Sequence, residues 1–282
     1  MQESLLIIGV GFMGGSFSLA LQKNGYKGNI YGIDIKEEIV KEAKHLGVIS
    51  EGSVRLEDVT VFKPDTVVLA SPVGTFRSIA KKIKPLIGNN TVITDLGSVK
   101  GKLVYDLQRI LGNLYVGSHP IAGTEKSGVI HSRADLFEGK KIILTPTDKT
   151  DTKALEKIAF LWERTGGVLE FMDPTLHDWI FGAVSHVPHA VAFALIDAID
   201  KMSNTTDLFR YSGAGFKDFT RIAASDPIMW RDIFLENKEN LLKTLRVYKE
   251  SLAKLEELIE KEEREKLTEY LQKAKTRRVS LK

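Results

Sequence analysis

The residues of this chain best suited to chemistry gather where apolar, β-branched runs give way to glycine and polar side chains. The first group is Gly9-Val10-Gly11-Phe12-Met13-Gly14, a G-x-G-x-x-G spacing that follows an apolar strand and opens a helix. Gly9 permits the tight turn, Gly11 lets backbone approach a pyrophosphate, and Gly14 lets the helix pack close to the strand. The anion then rests on the helix N-terminus, where N–H groups and the helix dipole favour negative charge. A second strand ends in Asp34, placed to accept from an adenosine ribose and to repel a 2′-phosphate. That favours NAD over NADP, with Lys36 arguing the other way. Ser71 and Val73 follow a further strand and are expected to line the cofactor, because open α/β sheets bind ligands beyond the carboxyl ends of their strands. Ser71 reads equally as an ordinary cap on a proline-started helix.

The second group is carried by Thr94-Asp95-Leu96-Gly97-Ser98-Val99-Lys100 and Gly117-Ser118-His119-Pro120-Ile121-Ala122-Gly123-Thr124-Glu125. Both segments end strands, so His119 and Ser98 are expected in one crevice, a proton acceptor beside the nicotinamide with a hydroxyl to orient it. Removing a hydroxyl proton while hydride leaves the neighbouring carbon needs such a base, and histidine titrates in the right range. Read alone, His119 is more often a capping or satisfied core histidine; its place at a strand end in a dinucleotide fold favours the base. The third group lies further on, where Ser185 and His189 are four apart and share a helix face with Asp178. Pro188 loosens that helix and bares backbone groups toward a ligand. His186 and His189 have a spacing that a metal can use, but zero cysteines and no third ligand point to no metal.

The elements that must position these groups fall into two kinds. Strand patterns cover Leu5–Val10, Asn29–Asp34, Thr66–Ala70, Thr91–Asp95, Tyr115–Gly117, Lys141–Thr145 and Val168–Phe171. Helical patterns alternate with them at Ser16–Asn24, Glu37–Leu46, Thr75–Ile83, Lys102–Leu111 and Thr152–Arg164. Alternation of this kind gives a largely parallel sheet covered on both faces. At Asp173-Pro174, an N-cap followed by a first helical residue, the strand pattern stops and helix takes over. The expectation is an α/β Rossmann-type dinucleotide-binding domain over residues 1–172 and an all-α helical domain over 173–282. The last stretch carries an apolar stripe, Leu241, Leu245, Tyr248, Leu252, Leu255 and Ile259. It has to be buried against the preceding helices or against a second copy of the chain.

Composition bounds the rest. Hydrophobic residues at 43% and charged residues at 27% are those of an ordinary globular protein. No uninterrupted apolar run reaches the ~18 residues of a membrane span, and the N-terminus lacks the basic region of a leader, so the expectation is a cytoplasmic protein with no membrane contact. The net charge of +3 is small, and the cluster Lys273, Lys275, Arg277, Arg278 and Lys282 reads as a solvated, fraying tail rather than a nucleic-acid site. Without cysteine, catalysis must use oxygen, nitrogen or a cofactor.

Taken together, the glycine turn, Ser71-Pro72-Val73, Asp95-Leu96-Gly97-Ser98-Val99-Lys100, the Gly117–Glu125 segment and Ser185-His186-Val187-Pro188-His189 resemble the prephenate/arogenate dehydrogenase family of tyrosine biosynthesis. The resemblance extends to Gly213-Ala214-Gly215-Phe216-Lys217-Asp218-Phe219-Thr220-Arg221. It implies oxidative decarboxylation of prephenate to 4-hydroxyphenylpyruvate, CO2 and NADH. His119 would then hydrogen-bond the ring hydroxyl, Ser98 would orient it, and His189 would lie in the substrate pocket. Arg221 would hold a substrate carboxylate, for which its planar fork is suited. Thr124, Ser185 and Lys217 complete the implied substrate-binding set, while Asp218 and Trp230 would close the pocket. The family also implies a homodimer through intertwined helical domains. Arogenate as the substrate stays open at this point, as does a non-catalytic NAD(H)-sensing regulator built on the same fold, which the histidine and the charged helical pocket argue against.

Overall fold

The computed structural model describes residues 3–123, 126–203 and 206–281. Strands β1 (Ser4–Ile8), β2 (Asn29–Ile33), β3 (Glu51–Ser53), β4 (Thr66–Leu69), β5 (Val92–Asp95), β6 (Tyr115–Pro120), β7 (Lys141–Thr145) and β8 (Val168–Phe171) form one sheet. Their order is β3-β2-β1-β4-β5-β6-β7-β8, parallel throughout except that β7 runs antiparallel to β6. The order reverses direction at β1, so β1 and β4 lie side by side while their following loops diverge, which opens the crevice where such sheets bind ligands.

Helices α1 (Phe12–Lys23), α2 (Glu37–His45), α3 (Val59–Phe62), α4 (Phe76–Ile83), α5 (Gly101–Leu111) and α6 (Thr152–Arg164) cover the two faces. Side chains of β1 alternate as a strand between two layers must. Leu5 and Ile7 enter one core with Phe17, Leu21, Phe137 and Trp162, and Leu6 and Ile8 enter the other with Val67, Phe76, Ile83 and Leu107. Each such side chain, removed from water, stabilises the fold by about 1.5–3 kcal/mol.

Two elements differ from the sequence expectation. Strand β3 was not foreseen: Glu51-Gly52-Ser53 has no β-branched residue and is short, yet it pairs with β2. Strand β6 runs past Gly117 through His119 to Pro120, because antiparallel pairing with β7 continues to Pro120↔Ile142. His119 is therefore held within a strand rather than beyond one.

From Pro174 onward the described residues are helical or irregular: α7 (Pro174–Phe181), α8 (Val187–Met202), α9 (Ala214–Thr220), α10 (Pro227–Glu236), α11 (Lys238–Glu260) and α12 (Arg264–Val279). Asp173 caps α7 as expected, its Oδ1 accepting from the N–H groups of Thr175 (2.8 Å) and Leu176 (3.0 Å). Between α7 and α8 the five residues Gly182–His186 widen into a π-turn. Pro188 is the cause: it has no N–H for the Val184 carbonyl and its ring pushes that carbonyl away.

The basic C-terminal cluster is not a fraying tail as far as the described residues go. Lys273 to Arg278 lie in α12, and Tyr270 ties that helix to α11 by donating to the Ser251 carbonyl (3.2 Å). The membrane expectation also needs amendment: the helical run 174–202 is long and apolar enough, by length and composition, to cross a membrane. Its histidines and Asp178 interrupt the apolar run without much lowering its average. Only 28% of its most apolar window is buried in the single chain.

Candidate active site

The glycine turn has the geometry its spacing implies. Gly9 sits at φ +99, and a Cβ there would lie 2.5 Å from the Ser71 nitrogen, so only glycine lets the β1 and β4 loops meet. A Cβ on Gly14 would strike the Gly9 carbonyl and lie 2.9 Å from Ile7 Cγ2, which confirms close helix–strand packing. Gly11, by contrast, faces open space, with nothing within 4 Å of a Cβ position. The N-terminus of α1 receives no side-chain cap from Gly11, so its leading N–H groups remain directed outward. These residues fit a dinucleotide pyrophosphate.

Asp34 follows β2 and accepts from the Val10 N–H at 3.0 Å and the Lys36 N–H at 3.3 Å, which fixes its carboxylate beside the turn. Ser71 pairs with the Thr75 hydroxyl (2.8 Å) and caps neither helix that follows, whose N-cap positions are Pro72 and Thr75. Phe12 is buried in the core that holds Leu5 and Ile7, with Met13 packed against it, while Val73 is buried in the core that holds Leu6 and Ile8.

The second half of the site is a buried polar chain. His119 Nδ1 lies 2.8 Å from His177 Nε2, and His177 Nδ1 lies 2.8 Å from Asp178 Oδ1. The same Asp178 oxygen accepts from the Lys100 backbone N–H (2.7 Å) at the start of α5. The Lys100 ammonium donates to Asp95 Oδ1, whose carboxylate also accepts from the Gly97 N–H (2.7 Å) and the Tyr115 hydroxyl (2.7 Å). Lys100 and Asp95 are fully buried, so each charge is matched where water cannot reach.

Burial governs the protonation of the chain. His119 is pushed well below the ordinary histidine range, first by burial and then by the fields of His177, Lys100 and His186. His177 is also driven down, by burial before Lys100 and His186. Asp178 is pushed up to about 6 by burial, against the Lys100 N–H and charge. Both rings are therefore neutral and Asp178 is ionised at neutral pH.

Further along, His189 Nδ1 donates to the Ser185 carbonyl (2.9 Å), which fixes its tautomer with a lone pair on Nε2. Its ring stacks on Trp230 at 3.6 Å, and Arg221 is close enough to depress its basicity, after burial. His186 Nδ1 meets the Asn237 amide at 3.0 Å, and the same amide donates to the Asp178 carbonyl (2.7 Å). His186 Nε2 and Trp230 Nε1 are buried without a hydrogen-bond partner.

The structure thus gathers His119, His186, His189, Trp230 and Arg221 at the junction of sheet and helices. Ser98 borders His186 through its backbone. Its hydroxyl does not orient His119 here; the partner of His119 Nδ1 is His177. Ser185 contributes its carbonyl, while Lys217 and Asp218 lie exposed on α9. Thr124 lies outside the described residues. Sequence reasoning missed His177 and Asn237 altogether and gave Asp178 no role; the one available signal was a His-Asp dipeptide in the first turns of a helix facing the sheet.

A dinucleotide turn, a buried neutral histidine at the cleft and a helical wall carrying His186, His189, Trp230 and Arg221 fit an oxidoreductase of the Rossmann class with a helical second half. Residues 17–171 match the model of the prephenate dehydrogenase nucleotide-binding domain, and residues 173–273 match that of the prephenate dehydrogenase dimerization domain. The chain belongs to the prephenate dehydrogenase family. It is 37% identical to the prephenate dehydrogenase of Bacillus subtilis over all of this chain and 76% of that protein. It is 34% identical to the cyclohexadienyl dehydrogenase of Zymomonas mobilis, covering 99% and 96%. The crystal structure of Aquifex aeolicus prephenate dehydrogenase in complex with hydroxyphenyl propionate and NAD+ superposes with a TM-score of 0.96 at 56% identity, covering 100% of this chain and 99% of that one.

Proposed function

We propose that this chain is an NAD-dependent prephenate dehydrogenase of tyrosine biosynthesis, converting prephenate to 4-hydroxyphenylpyruvate and CO2. The observation that carries the reading is His119: a buried, neutral imidazole in a family member, its Nδ1 occupied by His177; Nε2 is assigned to the substrate. NAD, held by Gly9, Gly11, Gly14 and Asp34, supplies the hydride acceptor. His119 takes the ring hydroxyl proton as that carbon becomes a ketone. The bond to the ring carboxylate breaks, CO2 leaves, and its electron pair restores aromaticity, which supplies much of the driving force. Arg221 offers a cation to the dicarboxylate and His189 is assigned to the same pocket, its Nε2 able to accept only from a substrate donor, so both orient the substrate rather than react. Ser98, Ser185 and Lys217 are assigned to the same pocket, and Thr124 with them.

The working unit is a homodimer through the helical domain, with the boundary placed near residue 172. Support comes from apolar surface that one chain leaves bare. Along α11 the stripe Leu241, Leu245, Tyr248, Leu252, Leu255 and Ile259 steps by four and three, the spacing of a helix seam. Leu241 is buried, yet Tyr248, Leu252 and Ile259 are 39%, 50% and 58% exposed. Acting on small soluble substrates, such an enzyme would work in the cytoplasm. The test is incubation with NAD and either prephenate or arogenate while following reduced nicotinamide. Turnover is expected with prephenate; turnover with arogenate alone would transfer the assignment to that substrate, and none with either would reject it.

A further inference from the structure

We infer that His177 and Asp178 are positioning residues that hold His119 in the tautomer leaving its Nε2 free to accept a proton. The inference rests on the reading of His119 as the base. Its ground is a chain of contacts that crosses the two halves of the molecule: His119 comes from β6, His177 and Asp178 from α7, and the Lys100 backbone from the entry to α5.

The direction of every hydrogen in that chain is set from its far end. Asp178 Oδ1 accepts from the Lys100 N–H, a group that can only donate. A Cβ on Gly101 would strike Asp178 Oδ2, so the carboxylate is lodged against the first turn of α5, where N–H groups and the helix dipole favour its charge. Lys100, the N-cap of α5, gives that helix no side-chain cap of its own; Asp178 supplies one from the other half of the chain. An ionised Asp178 can only accept, so His177 must present Nδ1–H to it. His177 Nε2 then carries the lone pair and can only accept, so His119 must present Nδ1–H. That leaves His119 Nε2 as the basic nitrogen.

Burial makes the arrangement binding rather than incidental. His177 is wholly enclosed, Asp178 is 3% exposed, and Phe181 lies against both rings at 4.5 and 5.0 Å. No water competes for Nδ1, and the wrong tautomer would place two N–H groups or two lone pairs face to face. When His119 gains the substrate proton on Nε2, its Nδ1–H stays bonded to His177. The new positive charge is answered by Asp178 through the intervening ring, and no proton has to travel along the chain.

The experiment is ring-nitrogen NMR of the full-length protein labelled with 15N-histidine, with His119→Asn assigning the His119 signals, alongside steady-state kinetics. In the wild type, His119 should show protonated Nδ1 and bare Nε2. His177→Leu removes the acceptor and should scramble that signature and lower kcat by about 100-fold or more, leaving both KM values within about twofold. His177→Gln restores an acceptor to Nδ1 and should recover the signature and most of kcat. A wild-type His119 protonated on Nε2 overturns the inference. So does a His177→Leu protein with unchanged signature and kcat, and so do leucine and glutamine variants equally impaired with the signature intact. If the protein turned over neither substrate, the base reading would fail while the ring signature still decided the role of His177.

Discussion

The sheet half and the helical half bury their apolar surface by different means. In the sheet, β1 is enclosed on both faces, with Leu5, Leu6 and Ile7 at 0% exposure, and Phe17, Phe137 and Trp162 interlock edge to face behind it. Its core is complete within one chain. The helical half is finished only on the side that meets the sheet. There Trp230 and Ile233 of α10 enter the core of α4 and α5, and Arg77 joins Asp106 to Glu236 at 2.9 and 2.7 Å. On its other side Val184, Met202, Val247, Leu252 and Ile259 stay half-exposed or more. One half closes its core within the chain, and the other is a helical wall packed on the sheet that leaves apolar side chains exposed on its far side. His119 sits at the seam, anchored in β6 and bonded to His177 of α7.

The sharpest way to break that comparison is His119→Asn. If the sheet alone binds the dinucleotide and His119 serves only the substrate, turnover should fall by roughly 10²- to 10⁴-fold while NAD affinity, measured by titration calorimetry, stays within about twofold. A comparable loss of NAD affinity would mean the two duties are not separable. Unchanged turnover would remove His119 from the reaction.

Next in size is Leu252→Asp, which places a charge on the bare stripe of α11. An interface related by a two-fold axis carries the change twice, so the dimer dissociation constant should rise by about 100-fold or more in sedimentation experiments. Binding of NAD should persist, since the sheet core is untouched. A variant that sediments as the wild type would show that the seam is covered by something other than a second copy.

The same contrast decides what was legible in the sequence. The sheet half was readable because its signals are local: a glycine spacing, an acid at the end of the next strand, β-branched runs at regular intervals. Where it failed, the local signal was weak or misleading. Glu51-Gly52-Ser53 has no strand-forming residue and is a strand through pairing alone. Pro120 reads as a break, yet as the final residue of β6 it needs no further ladder bond. In the helical half Pro188 signalled a loosened turn correctly. The partner of His119 was not readable, because His177 lies 58 residues away and meets it only when α7 docks on β6. Ser98, nearer in the expected crevice and bearing a hydroxyl, was the obvious local choice for a contact that the packing gives to a ring.

The smallest expected effect tests whether the seam is a liability for the fold. His119, His177 and His186 are all held below the ordinary range, burial being the first cause in each, His186 at about 4. In the unfolded chain these rings titrate near 6.5, so below that pH the unfolded state binds protons that the folded state refuses. Their contribution to stability is therefore full above about pH 6.5 and is lost as the pH falls toward their folded values. Asp178 runs the other way: at about 6 when folded, against 3.8 otherwise, it takes up a proton in the native state first and offsets one ring's share. Each uncompensated proton changes stability by about 1.4 kcal/mol per pH unit. The urea midpoint should accordingly fall between pH 6.5 and 5.5, and more gently in His177→Gln. A midpoint flat across that interval would mean that the seam opens to water before the sheet unfolds, leaving these histidines at ordinary values in the state that denatures.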